Sequence, residues 1–264
     1  MLGAIIGDTI GSLYEFTSEK TKDFELLTPS CHLTDDSFMT IAVGCACVGS
    51  SIYDKEDFQS TLCRLMREIG NIYPGAGYGK GFYNWLMDEG APAYNSYGNG
   101  SAMRVSPVAW VATSLDEAQR LAEWSAEVTH NHPEGIKGAQ AIACAVYMAR
   151  DGKSKAQIKE YIQKMYYNLE FTLDEIRPEY KFDVTCQGSV PQAIMCFLES
   201  ESFEDAIRNA VSLGGDGDTI GAMAGAVAEA YYGIPRELEE KIFEYMDDEI
   251  IDYYNTYADE LYQK

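Results

Sequence analysis

Apolar residues recur along most of this chain at the three- and four-residue spacing of helices buried on one face. Over residues 54–69, Phe58, Leu62, Leu65, Met66 and Ile69 fall on one side of a helix. Ser114-Leu115-Asp116-Glu117 opens another, a Ser cap followed by acids in the first turn, and the helix should run over 115–128. The same reading predicts helices over 138–150, 155–166 and 191–199. Residues 36–48 differ, being apolar at nearly every position. Ala42, Gly44 and Ala46 keep that stretch slim, as in a helix buried all round. In residues 219–232, Gly221 and Gly225 lie four apart, and Ala222, Ala226 and Ala230 repeat the spacing. Glycine weakens a helix by about 1 kcal/mol relative to alanine, so close approach of a second helix is the reason to keep it. Residues 236–262 are charged and Tyr-rich and should cap the bundle. With no series of alternating β-branched strands, no repeat and no linker, the expectation is all-α: a compact multi-helix bundle in one domain over residues 1–264.

Composition narrows the partners. Acidic residues number 42 and basic residues 20, a formal net charge of −22, while 46% of residues are hydrophobic. That apolar content supplies a core and argues against disorder. The acidity disfavours nucleic acid, whose phosphates need Lys and Arg to displace their counterions, and disfavours an anionic membrane surface. No apolar run reaches about 18 residues, so no membrane span is expected. The seven cysteines are odd in number and contain no C-x-x-C pair, which gives no disulfide framework and points to a reducing compartment. The opening Met1-Leu2-Gly3-Ala4-Ile5-Ile6-Gly7-Asp8 lacks the basic start of a signal peptide. The expected location is the cytoplasm.

Two acidic clusters carry candidate chemistry. Thr34-Asp35-Asp36-Ser37 precedes the buried apolar helix, and Gly214-Gly215-Asp216-Gly217-Asp218-Thr219 precedes the small-residue helix. Asp, Ser and Thr are ordinary caps, and a helix N-terminus favours negative charge. Capping does not account for the glycines around Asp216 and Asp218, which let the backbone bend so that side chains two apart converge. Four carboxylates with hydroxyls form a hard oxygen set suited to Mg2+, Mn2+ or Ca2+ rather than zinc. If the two helix starts meet, only cations make such crowding tolerable. An EF-hand fails, because the twelfth position counted from Asp216 is Val227 where Glu is needed. Asn95-Ser96-Tyr97-Gly98-Asn99-Gly100-Ser101 offers flexible backbone N–H groups for a diphosphate, and Tyr97 a ring for a base. His130 and His132 have H-x-H spacing, but nothing completes a zinc site; hydrogen bonding or loop packing is the expected role. Tyr78, Phe82 and Trp85 are either pocket rings or core.

Taken in order, these segments resemble the ADP-ribosylglycohydrolase family. Gly3 to Phe16 resembles its opening G-x-x-x-G-D-x-x-G-x-x-x-E, Thr34-Asp35-Asp36-Ser37 its T-D-D-T, and Gly98-Asn99-Gly100-Ser101-Ala102-Met103-Arg104 its G-N-G-x-x-M-R. Thr129-His130 resembles its T-H, Val190-Pro191-Gln192-Ala193 its V-P-x-A, and Gly215-Asp216-Gly217-Asp218-Thr219-Ile220-Gly221 its G-G-D-x-D-T-x-G. Ser37 departs from the family's Thr while keeping the hydroxyl, and Asn95 stands where relatives often have Gly.

The resemblance implies an all-α bundle with two divalent cations, Mg2+ or Mn2+, and a monomer. It carries the metal-ligand role onto Thr34, Asp35, Asp36, Asp216, Asp218 and Thr219. It carries the gating or activating glutamate onto Glu15, which with Asp36 and Asp218 makes the candidate catalytic set. Ser96, Tyr97, Asn99, Gly100 and His130 fall where members hold ADP-ribose. The implied reaction is hydrolysis of the glycosidic bond between ADP-ribose and a modified protein side chain, or a small-molecule conjugate, through an oxocarbenium-like transition state. The alternatives are a catalytically silent ADP-ribose-binding or crystallin-like structural descendant, and a hydrolase of another ADP-ribosylated small molecule.

Overall fold

Fifteen α-helices carry the described residues, 1–17 and 20–262, of the computed structural model; no strand occurs among those residues. In chain order they are α1 (Leu2–Gly11), α2 (Asp35–Gly49), α3 (Lys55–Ile72), α4 (Lys80–Met87), α5 (Gly100–Met103), α6 (Ser106–Val111), α7 (Leu115–Glu127), α8 (Pro133–Arg150), α9 (Lys155–Met165), α10 (Leu173–Ile176), α11 (Cys186–Leu198), α12 (Phe203–Val211), α13 (Gly217–Tyr232), α14 (Arg236–Lys241) and α15 (Asp248–Tyr262). The all-α expectation holds. Among the described residues, no helix is long and apolar enough to cross a membrane.

Local chemistry sets the helix starts. Asp54 accepts from the amides of Glu56 and Asp57 and opens α3, and Ser114 accepts from Glu117 and opens α7. Each such cap contributes about 1 kcal/mol. Two helices begin five residues before the positions expected from periodicity. His132 Nδ1 accepts from the Glu134 amide at 3.1 Å, and Pro133 takes the first position of α8, where no donor is required. In α11, Thr185 caps the start and Pro191 sits inside the helix, so only the carbonyl of Gln187 loses its helical donor. The expected C-terminal cap is divided: α14 passes into a 3-10 turn (Ile242–Tyr245) before α15 packs on α2.

The centre of the fold is the contact of α1 with α13. Helix α1 is buried along its length, and α13 from Gly217 to Glu229. Three glycines of α1 face three of α13, with almost no space between the backbones. A Cβ on Gly3 would lie 2.5 Å from the Gly225 carbonyl oxygen, one on Gly7 2.0 Å from that of Gly221, and one on Gly11 2.4 Å from that of Gly217. The small-residue face expected on residues 219–232 therefore has its partner, and the partner is the N-terminal segment. This ladder fixes the start of α13 against the end of α1. Helix α2 packs against both, so three helix segments bring their polar residues to one place.

Candidate active site

The two acidic clusters meet. Thr34 is the N-cap of α2 and accepts from the Asp36 amide at 3.3 Å. Asp216 is the N-cap of α13, reached through Gly214 at φ +59°, a conformation that glycine adopts without strain. Across the junction the Thr219 hydroxyl donates to Asp36 Oδ2 at 3.2 Å. Asp36, Asp216, Asp218 and Thr219 are all buried. Asp35 is half-buried and faces the same cavity, beside Gly77.

Asp8 is the member that sequence reasoning missed. It projects from α1 and is fully buried. Its Oδ2 accepts from the amides of Thr34 at 3.0 Å and Ser37 at 3.1 Å, and its Oδ1 from the Thr34 hydroxyl at 2.6 Å. The Ser37 hydroxyl also donates to it. Asp8 thus anchors the first turn of α2. This accounts for the hydroxyl at position 37: it serves Asp8, and serine does that as threonine would. A single acid within an otherwise apolar opening run was the available signal.

Carboxylate oxygens gather in two groups, each within 4.8 Å: Asp8, Asp36 and Asp218, and Glu15, Asp216 and Asp218. Asp218 belongs to both. Asp36 Oδ1 is buried and has no hydrogen-bond donor among the described residues. An acceptor-only oxygen left alone in the interior calls for a cation. Burial and mutual repulsion raise the Asp35, Asp36 and Asp218 carboxyls well above the ordinary range. Burial lifts Asp216 to about 6 against the Asn99 amide, which donates to its Oδ2 at 2.6 Å. Burial and the charges of Asp218 and Asp8 push Glu15 to about 7. The donor set fits hard divalent ions: all oxygen, anionic and crowded.

This electrostatic strain gives a testable sign. A carboxyl raised in the folded state contributes stability that is present below its unfolded pKa, about 4, and is lost as pH rises through the folded value. For Glu15 and Asp216 that window closes near 7 and 6. Cations compete with those protons. The rise in melting temperature on adding Mg2+ should therefore grow from pH 5 to pH 8, measured against a chelated sample at each pH. A gain that is constant or shrinks with pH contradicts the cluster as the cation site.

Above these carboxylates lies a cavity of about 450 Å³. Ser96, Asn99, Gly100 and His130 line it together with Glu15, Asp35, Asp36, Asp216, Asp218 and Thr219. Tyr97 does not. Its half-exposed ring packs on His132, 5.3 Å between centroids. Asn95 has φ +55°, the left-handed region that Gly occupies freely and Asn tolerates. That explains the exchange with Gly at this position. His130 Nδ1 lies 2.7 Å from the Thr129 hydroxyl, so both histidines take part in hydrogen bonds, as expected. Phe82 and Trp85 are buried and stacked at 5.5 Å; only Phe82 of the two reaches the cavity. The aromatic rim of Phe16 and Phe182, stacked at 5.8 Å, was not foreseen.

A family model described as ADP-ribosylglycohydrolase matches residues 1–264. The chain belongs to the ADP-ribosylglycohydrolase family. It is therefore a glycosidic-bond hydrolase by family. It is 26% identical to human ADP-ribosylhydrolase ARH3 over 95% of this chain and 90% of that one. It is also 26% identical to ADP-ribosylarginine hydrolase Tri1 of Pseudomonas putida (strain GB-1), over 92% of this chain and 72% of the relative. A solved structure titled ADP-ribosylglycohydrolase-related protein complex superposes with a TM-score of 0.64 at 23% identity, covering 99% of this chain and 95% of that one. That likeness bears on the fold. An ADP-ribosylglycohydrolase needs a pocket for a charged nucleotide sugar beside a place to stabilise a ribosyl cation. Asp36, Asp216 and Asp218 belong both to the cavity wall and to the carboxylate groups.

Proposed function

We propose that this chain removes ADP-ribose from a modified side chain at a dinuclear divalent-cation site, acting as a single-domain monomer in the cytoplasm. The observation that carries the reading is the pair of buried carboxylate groups sharing Asp218, with Asp36 Oδ1 lacking any donor among the described residues. Asp8 anchors one group by its hydrogen bonds to Thr34 and Ser37, and Asn99 orients the other through Asp216. No disulfide joins the seven cysteines among the described residues, which supports the reducing setting. Thr34, Asp35, Asp36, Asp216, Asp218 and Thr219 would hold Mg2+ or Mn2+, which would supply Lewis acidity and offset the crowded charge.

In this reading the chain's own groups do the rest. Ser96, Asn99, Gly100 and His130 line the part of the cavity that receives the nucleotide moiety. The buried aspartates face the reacting ribose and stabilise the developing oxocarbenium charge. Glu15 is half-buried at the edge of the cavity, and a carboxyl near 7 gives and takes a proton at neutral pH. Glu15→Gln should lower turnover about a hundredfold or more while cation binding, read by a Mn2+ titration, persists. Full activity in that variant removes Glu15 from the chemistry.

The deciding test incubates the protein with arginine-linked and serine-linked ADP-ribosyl peptides, with and without Mg2+. Cation-dependent release of free ADP-ribose from one of them supports the proposal and names the linkage. Binding of ADP-ribose without release from either substrate favours the silent binder.

A further inference from the structure

A buried cation lies on the cavity wall. Arg104 is 1% exposed, and no ion pair to it occurs among the described residues. Burial lowers its guanidinium only to about 10, so it stays charged at neutral pH. One terminal nitrogen donates to the Ser125 carbonyl at 3.3 Å and to the Thr129 hydroxyl at 2.8 Å. That hydroxyl is in turn 2.7 Å from His130 Nδ1. Thr129 is fully buried.

The direction of this chain of bonds is fixed by what each group can do. A guanidinium N–H only donates, so the Thr129 oxygen accepts from Arg104. The hydroxyl has one proton. If His130 Nδ1 also donated to it, that proton would be buried without an acceptor, at a cost of about 1–3 kcal/mol. Giving the proton to His130 Nδ1 satisfies the hydroxyl and the ring nitrogen together. An Nδ1 that accepts is unprotonated, and the neutral ring then carries its proton on Nε2. Burial and the Arg104 charge both hold the ring neutral.

The far side of the ring has been kept clear. A Cβ on Gly100 would lie 3.1 Å from His130 Nε2, and one on Gly98 3.6 Å from it. Side chains at these two positions would cover the nitrogen. Their absence leaves Nε2 facing the loop that borders the cavity.

We propose that Arg104 and Thr129 are positioning residues that lock His130 as a neutral Nε2–H donor, aimed through the Gly98–Gly100 gap at an oxygen of the bound nucleotide. The donor can serve a phosphate or a ribose hydroxyl oxygen, and it cannot serve a cation, because its nitrogen lone pair is engaged at Nδ1 and protonated at Nε2. The proposal rests on the function argued above for the identity of the ligand, but not for the tautomer.

The test is a long-range 1H–15N spectrum of the histidine rings in 15N-labelled full-length protein at neutral pH. The chain has three histidines, so loss of one ring's signals in His130→Asn assigns them. The expected spectrum has His130 Nε2 protonated and Nδ1 bare. Thr129→Val keeps the branched shape and removes the hydroxyl; it should give a mixed or inverted tautomer and weaken ADP-ribose binding about tenfold, the value of one hydrogen bond. Thr129→Ser should restore both. Should Thr129→Val fail to fold, the wild-type and Thr129→Ser spectra decide. A wild-type His130 protonated on Nδ1, or a Thr129→Val variant with unchanged tautomer and affinity, overturns the proposal. A wild-type protein with the expected tautomer and no affinity for ADP-ribose upholds the relay and overturns the proposed function instead.

Discussion

Asp218→Asn should reduce cation-dependent release of ADP-ribose about a thousandfold or more. No other residue belongs to both carboxylate groups. Asn keeps the shape, and its side-chain oxygen can still accept from the Thr219 amide, which now donates to Asp218 Oδ1 at 2.9 Å. What disappears is one charge from the place where the two groups join. The same loss should act on stability with the opposite sign. Asp216 and Asp8 both repel Asp218, so in the presence of a chelator the variant should melt at or above the wild-type temperature. The stabilisation by Mg2+ should be largely lost. Activity within tenfold of wild type, or a variant that melts lower than wild type in chelator and keeps the full Mg2+ shift, contradicts the shared position of Asp218.

The second large effect concerns the glycine ladder. Gly7→Ala places a methyl group 2.0 Å from the Gly221 carbonyl oxygen and 2.4 Å from its carbon. These are backbone atoms, so no side chain can swing aside and the two helices must separate. Overpacking of this kind costs about 3 kcal/mol, which for a chain of this size lowers the melting temperature by roughly 10 °C. The displacement also reaches the site, because α1 carries Asp8 one residue later and α13 carries Asp218 four residues before Ala222. Mg2+ binding should weaken along with stability. Gly75→Ala is the control: nothing lies within 4 Å of a Cβ there, and its melting temperature should match wild type. Equal melting temperatures for Gly7→Ala and wild type would mean that the helices are not in contact at the glycines.

Much of this arrangement is legible in the chain because its signals are local. A serine or aspartate before a run of helical spacing marks the start of α3 and α7, and the caps lie where those residues stand. Glycines at a spacing of four on residues 219–232 announce a close helix contact, although they do not name the partner. The paired acids before two buried helices announce a carboxylate cluster for the same reason: capping alone leaves the glycines and the surplus charge without purpose.

What stayed hidden depends on contacts made at long range. Helix α1 is apolar on every side, so no periodicity marks it, and Asp8 looks like the end of a hydrophobic run until Thr34 and Ser37 are seen to donate to it. The role of Ser37 follows only from that contact. Tyr97 sits in the expected loop, yet the turn through Asn95 leaves its ring on His132 outside the cavity. Phe16 and Phe182 are far apart in sequence and meet only because the segments after α1 and before α11 close over the same opening. Arg104 and Thr129 stand in two separate sequence motifs, and the hydrogen bond between them joins those motifs.

The central claim is that two cations share the carboxylate floor through Asp218, and counting them tests it most directly. A Mn2+ titration followed by electron paramagnetic resonance should find two ions per chain, with the signal of a spin-coupled pair, and no coupled pair in Asp218→Asn. A single uncoupled ion in the wild-type protein, no bound ion, or a coupled pair that survives in Asp218→Asn would contradict it.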